Sequence, residues 1–263
     1  MMKTLIDDRR NHTTVSDLRS LYLNLLKRVL TDTVFTAEPD DDESMQYLQD
    51  FIRHYIRGRA LTMVPLARLD NLERCALDVI EHDVPGDFIE TGVWRGGVTI
   101  FMRAIVEAYN QDRRVWVADS FTGLPEPDAS KYPIEADTHH GKVMSTVYDH
   151  FAVGLDQVKE NFVRFGFLDD RVRFLKGWFK DTLSSAEISQ LAILRLDGDY
   201  YESTHDALVH LYPKLSPGGY VIIDDYGEDT WTYCRRAVDD YRERVGLRQP
   251  LAQVDSKCFY WKK

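Results

Sequence analysis

Apolar positions change their period along this chain. Leu18, Leu21, Tyr22, Leu25, Leu26 and Val29 recur every three or four residues, the spacing of a helix face, with Ser16 or Asp17 placed to cap it. The stretch 44–82 keeps a helical period. In its second half Leu69, Leu72, Cys75, Ala76, Val79 and Ile80 make one stripe that stops before Val84-Pro85-Gly86. Beyond residue 86 the pattern becomes short apolar runs: Phe88 to Glu90, Val115 to Asp119, Val172 to Leu175, Leu191 to Leu196, Tyr220 to Ile223 and Cys258 to Trp261. Helical runs near 98–109, 146–165, 203–215 and 231–245 separate them. Short apolar strands alternating with helices predict an α/β fold, with a mostly parallel sheet covered on both faces. Residues 1–83 then form a helical extension over a domain at 84–263, the two making one structural unit.

Composition narrows the class. A chain of 263 residues suffices for one large α/β domain. Its 43 acidic side chains outnumber 33 basic ones, for a net charge of −10, so no global field recruits nucleic acid or anionic lipid. No apolar run approaches the ~18–20 residues of a membrane span. Met1 to Val15 contains Asp7-Asp8-Arg9-Arg10 instead of an apolar stretch, so no secretory signal is expected there. Cys75, Cys234 and Cys258 form no CxxC and cannot all pair, which fits reduced thiols and a cytoplasmic protein. The acidic run at 39–43 reads as a solvated loop.

Ligand sites in open α/β sheets lie beyond the carboxyl ends of the strands. After the first strand stands Glu90-Thr91-Gly92-Val93-Trp94-Arg95-Gly96-Gly97. Its glycines let backbone approach a ligand, and the helix that follows presents an electropositive N-terminus. The spacing is not GxGxxG, so a dinucleotide is poorly supported. Asp119 ends the next strand, where a carboxylate meets ribose hydroxyls, and together these suggest an adenosine-containing ligand. Glu90 is placed to face a cationic part of it. Gly177-Trp178-Phe179 either stack on adenine or pack in the core. Two acidic clusters, Asp197-Gly198-Asp199 and Asp224-Asp225, follow two strongly apolar runs. Carboxylates converging there repel one another unless a cation holds them, and all-oxygen ligands suggest Mg²⁺ or a similar hard cation. His139-His140 reads as solvated or substrate-facing rather than zinc-binding. With no GxSxG, nucleophilic hydrolysis has no support.

The runs DFIETGVWRGG (87–97), VADSFTGLPEPD (117–128), GWFKDT (177–182), RLDGDYYEST (195–204) and LSPGGYVIIDDY (215–226) resemble the macrocin O-methyltransferase family. Its members use S-adenosylmethionine and a divalent metal to methylate sugar hydroxyls on antibiotics. Within it the chain looks especially similar to the branch acting on the noviose sugar of aminocoumarins. The resemblance covers nearly the whole chain and departs at 36–60 and 129–150. It implies a class I methyltransferase fold, Rossmann-like, seven-stranded, with an antiparallel last strand. It assigns Glu90 to Gly97 to the methionine part of S-adenosylmethionine, Asp119 and Ser120 to the ribose, and Gly177 to Phe179 to the adenine. Thr62 and Met63 close over the methionyl end. Asp197, Asp224 and Asp225 match the metal ligands, and Asp199 or Asp197 the general base. The acceptor is then a small glycosylated molecule. A catechol-type methyltransferase of an aromatic diol has the same metal logic. A DxD glycosyltransferase would leave ETGVWRGG unexplained, and a non-catalytic binding module would leave Asp224-Asp225 without a task. Residues 36–66, with Tyr47, Phe51 and Tyr55, are expected to form a lid that orders on ligand binding, or else a static helix that completes the core. Monomer and homodimer both stay open.

Overall fold

Helix α1, Val15–Leu30, starts from a reciprocal cap. The Thr14 side chain accepts from the Asp17 amide, and the Asp17 carboxylate accepts from the Thr14 amide at 2.8 Å, so the cap lies ahead of the expected Ser16 or Asp17. The computed structural model describes residues 14–37, 49–141, 147–227 and 232–263. The acidic run at 39–43 and Tyr47 fall outside the described residues. The helix expected across 44–82 is interrupted. One π turn, Ile52–Ile56, is followed by irregular chain, and helix α2, Leu66–Glu81, begins only after Pro65. Proline disfavours helix in the residue before it. The carbonyls of Ile56 and Ala60 instead accept from the Arg95 guanidinium, and that of Leu61 from the Gly97 amide at 2.9 Å. His54 links the same segment to Thr31 O at 2.9 Å and to the Thr36 hydroxyl at 3.0 Å. These ties join the described part of 36–66 to α1 and to the loop after β1.

Strand β1 (Asp87–Thr91) leads through helix α3 (Gly97–Ala108) to β2 (Val115–Asp119). Helices α4 (Pro133–His139) and α5 (Leu155–Arg164) precede β3 (Val172–Lys176), and a short α6 (Phe179–Thr182) precedes β4 (Leu191–Leu196). Then come α7 (Tyr201–Leu211), β5 (Leu215–Ile223), α8 (Thr232–Val245), β6 (Ala252–Gln253) and β7 (Phe259–Lys262). Two spans fall short of expectation: α5 starts at 155 after a 3₁₀ turn at 148–150, and α7 gives way to another at 212–214. The sheet runs β3-β2-β1-β4-β5-β7-β6, with parallel pairing from β3 to β5 and β7 antiparallel to β5. This is the seven-stranded sheet with an antiparallel last strand that the resemblance implies. The two-residue β6 is too short to leave a periodic signal.

Side chains alternate between two cores, as a pleat requires. Phe88, Val115, Val117 and Ile222 join the core under α1, α2 and α3, while Ile89, Trp116, Ala118, Val221 and Ile223 join the one under α7 and α8. The register aligns Thr91, Leu196 and Ile223 at the carboxyl ends of β1, β4 and β5. Backbone pairing continues one residue further, from Asp197 N to Thr91 O and from Asp224 N to Leu196 O, both 2.9 Å. Gly92, Asp197 and Asp224 therefore stand side by side at the tips.

Candidate active site

The pleat decides which side chains meet there. Two residues back from that row, Glu90, Arg195 and Ile222 share its face, and Ile222 lies in the α1–α3 core. Glu90 and Arg195 are both buried to within 1%. One guanidinium nitrogen of Arg195 donates to Glu90 and to Asp197, each at 2.6 Å, and the other donates to Asp224. From the same face, Arg68 of α2 donates to Asp224 at 2.7 Å and to Asp255 at 2.6 Å. Asp224 thus gives both oxygens to guanidinium groups.

Negative charge still predominates. Glu90, Asp197, Asp199, Asp224 and Asp225 all line one cavity of about 300 Å³, against the two guanidiniums. Asp225 Oδ2 and Glu90 Oε2 are buried without a hydrogen-bond partner among the described residues. Among the described residues Asp199 forms no ion pair, and its left-handed backbone (φ 58°) sets it apart from Asp197. Burial, reinforced by neighbouring carboxylates, pushes Asp199 and Asp225 well above the ordinary carboxylate range. Asp197 rises to about 6 from burial and the charge of Asp224, with Arg195 pulling the other way. Burial lifts Glu90 to about 8 despite Arg195. Such a cluster binds protons or cations. Oxygens of Asp197, Asp224 and Asp225 approach within 4.8 Å of one another, an all-oxygen donor set suited to a hard divalent ion. The unpartnered Asp225 oxygen fits that use.

A second cavity of about 350 Å³ adjoins the first and shares Gly92, Asp119, Gly123, Leu124 and Asp197 with it. Ser120, Gly177, Trp178 and Phe179 line this second part; Thr62, Met63, Val93 and Trp94 line the first. The carboxylate of Asp119 accepts from the amides of Val93 at 2.8 Å and Phe121 at 2.7 Å. It therefore braces the loop after β1 as well as facing the cavity, and its burial raises its pKa against those bonds. Gly92 is needed for close approach: a Cβ there would sit 1.8 Å from the Asp197 carbonyl oxygen. Gly97 is needed too, because a Cβ would come within 2.5 Å of Leu61 O. Thr91, Arg95 and Gly96 do not line either cavity. Thr91 is buried, Arg95 stacks on Trp94 at 4.1 Å while holding the 56–60 carbonyls, and Gly96 caps α3. Trp94, Phe121 and Asp199 are non-glycine residues with φ of 46°, 58° and 58°. Each lies just past a strand tip, where backbone strain accompanies function in many folds.

Several contributors give no sign of their partners in the sequence. Arg195 was hidden inside an apolar strand, although a charge in such a run must be paired when buried. Helix α4 docks on the loop carrying Asp199: Glu135 accepts from the Tyr201 amide at 2.7 Å, and His139 Nδ1 meets the Tyr200 hydroxyl at 2.6 Å. Burial raises Glu135 to about 7 and lowers His139. The two histidines also meet Glu126, at 3.4 Å from His139 and 2.8 Å from His140. Phe51, Leu124, Val147 and Phe151 supply apolar wall to the first cavity.

The model of the macrocin O-methyltransferase family matches residues 53–263. The chain belongs to that family. It is 47% identical, over 94% of both chains, to the 8-demethyl-8-(2,3-dimethoxy-alpha-L-rhamnosyl)-tetracenomycin-C 4'-O-methyltransferase of Streptomyces olivaceus. It is 44% identical to the demethyldecarbamoylnovobiocin O-methyltransferase of Streptomyces niveus, over 93% of this chain and 94% of the relative. Among solved structures, the O-methyltransferase NovP superposes with a TM-score of 0.80 at 43% identity, covering 93% of this chain and 99% of that one. These relatives are enzymes that methylate oxygen, and the fold is theirs.

Proposed function

We propose that this protein transfers the methyl group of S-adenosylmethionine to a hydroxyl of a deoxysugar on a glycosylated natural product, with Mg²⁺ or a similar divalent ion as cofactor. The observation that carries this reading is the trough at the strand tips. Glycine-rich backbone and Asp119 line one part, and an excess of carboxylates lines the other. The relative named for a rhamnosyl 4'-O position supports the sugar class; the apolar walls at Phe51, Leu124, Val147 and Phe151 suit an aglycone.

Within this reading, Gly92 to Trp94, Thr62 and Met63 hold the methionyl portion, and Glu90 Oε2 accepts from its ammonium. Asp119 uses lone pairs left free by Val93 and Phe121 to accept from ribose hydroxyls, beside Ser120. Gly177, Trp178 and Phe179 border the adenine. Asp197, Asp224 and Asp225 hold the divalent ion, and Arg195 keeps their charge from unfolding the tips. When bound, S-adenosylmethionine supplies an electrophilic methyl and the ion supplies positive charge that lowers the pKa of nearby hydroxyls, which otherwise lose protons only far above neutrality. Asp199 takes the hydroxyl proton at its carboxylate. It suits this role better than Asp197, whose Oδ2 is already bound to Arg195 at 2.6 Å. A carboxylate with a raised pKa is the stronger base once ionised.

Calorimetry tests the cofactor half of this reading. S-adenosylhomocysteine is expected to bind without metal, and Asp119→Ala to weaken it by about 2–4 kcal/mol through lost charge-assisted bonds. Binding of a nucleotide sugar in place of S-adenosylhomocysteine would overturn the proposal.

A further inference from the structure

The fold brings a third donor to His139 and His140. Glu126, in the loop after β2, turns both carboxylate oxygens toward the pair: Oε2 lies 3.4 Å from His139 Nε2 and Oε1 lies 2.8 Å from His140 Nε2. Consecutive residues inside a helix point about 100° apart, but these two straddle the end of α4, where His140 is the C-cap. Their rings meet edge to face with centroids 5.1 Å apart, and both Nε2 atoms face the same carboxylate. One donor atom from each of the three side chains lies within 4.8 Å of the other two. Among the described residues no lysine or arginine pairs with Glu126.

Packing holds these donors in place. His139 is buried, and its Nδ1 meets the Tyr200 hydroxyl at 2.6 Å, which fixes the ring and leaves Nε2 as the nitrogen facing Glu126. A metal-bound imidazole uses its second nitrogen in this way, donating to an oxygen that sets tautomer and orientation. Tyr148 packs edge-on against the same ring, centroids 4.7 Å apart, while its hydroxyl donates to Leu124 O at 2.5 Å. That bond anchors the loop two residues before Glu126. Two ligands at about 2.0–2.1 Å from a tetrahedral Zn²⁺ stand about 3.3–3.4 Å apart, the spacing already present between His139 and Glu126. Glu126 and His140 are exposed, so an ion can enter from solvent and open their closer contact.

We propose that Glu126, His139 and His140 form a second metal site, for a borderline transition ion such as Zn²⁺. Imidazole nitrogen suits zinc and its neighbours, whereas an all-oxygen set such as that at the strand tips suits hard ions. The ion ties the loop after β2, where Glu126 borders the second cavity, to α4, whose Glu135 holds the Tyr201 amide just beyond Asp199. It acts as a staple between these two segments and is separate from the cation of the strand tips.

Titration of the full chain with Co²⁺ in excess Mg²⁺ tests this, because Co²⁺ held by imidazoles in a four- or five-coordinate site absorbs visible light far more strongly than octahedral Co²⁺ on oxygen. The protein should develop visible bands that saturate with Co²⁺ and that Zn²⁺ then abolishes. Glu126→Gln and His140→Ala, both at exposed side chains, should weaken this binding by about tenfold or more, with unchanged circular dichroism. Tyr200→Phe, which releases the His139 ring, should weaken it by about 10–100-fold. Asp225→Asn, which disables the strand-tip set, should leave the bands intact. Bands that never appear, that vanish in Asp225→Asn, or that persist undiminished in Glu126→Gln or His140→Ala overturn the proposal.

Discussion

Asp199 and Asp197 are two residues apart, yet the backbone gives them different environments. Asp197 continues the β4 ladder and shares the Arg195 guanidinium with Glu90. Asp199 follows a turn, adopts φ 58°, and borders the cavity without such a partner. Replacing Asp199 by Asn removes the base while nearly preserving shape. Turnover should fall by about 10²–10⁴-fold, with S-adenosylhomocysteine affinity unchanged; a loss of affinity in step with turnover would assign Asp199 to cofactor binding instead. The carboxylates at this site were legible in the sequence because strand tips are where a parallel sheet presents ligands. Arg195 and Arg68 were not. Their partners come from other strands and a helix of the extension, so only the register brings them together. Asp119, expected to meet ribose, lines both cavities, but its bracing of Val93 and Phe121 was not legible, since a carboxylate's second task leaves no mark on its own strand.

At the scale of elements, the short buried strands were readable because burial on both faces leaves continuous apolar runs. The segment before α2 was not, because tertiary bonds replace a local ladder there. Arg95 illustrates this: it lies within the glycine-rich motif, yet its guanidinium holds Ile56 and Ala60. Leu61 donates to Leu30 O at 2.7 Å and accepts from Gly97, which seats Thr62 and Met63 on the cavity. Arg95→Ala should therefore speed hydrogen exchange across 57–64 in the ligand-free protein and raise the KM for S-adenosylmethionine. Native-state exchange read by mass spectrometry checks it. Equal, fast exchange before and after the change would show that Arg95 anchors nothing, and would favour the lid expected from the sequence.

For the whole molecule, the carboxylate excess ties stability to pH. Glu90 at about 8, Asp197 at about 6, and Asp199 and Asp225 raised well above their ordinary range all hold protons in the folded state that the unfolded chain has released. The folded state thus binds more protons between the ordinary carboxylate range and about pH 8, and these groups make stability fall as pH rises through that window. A divalent ion bound by the ionised carboxylates displaces those protons, so its stabilisation should grow with pH. Thermal unfolding with and without Mg²⁺ should show a larger rise in Tm at about pH 8.5 than at about pH 6. Equal increments at the two pH values would detach the acidic cluster from metal binding. None of the described helices is long and apolar enough to cross a membrane.

The central claim is methyl transfer to a sugar oxygen at the strand tips, and one measurement reaches it directly. The protein is incubated with Mg²⁺, S-adenosylmethionine carrying a trideuterated methyl group, and a panel of rhamnosylated and related deoxysugar glycosides alongside catechols. Products are then fragmented by mass spectrometry. The account predicts one trideuteromethyl group on the sugar fragment of a glycoside, absent in excess chelator and restored by Mg²⁺. Label on a catechol or on an aglycone, or undiminished sugar labelling in chelator, would contradict it.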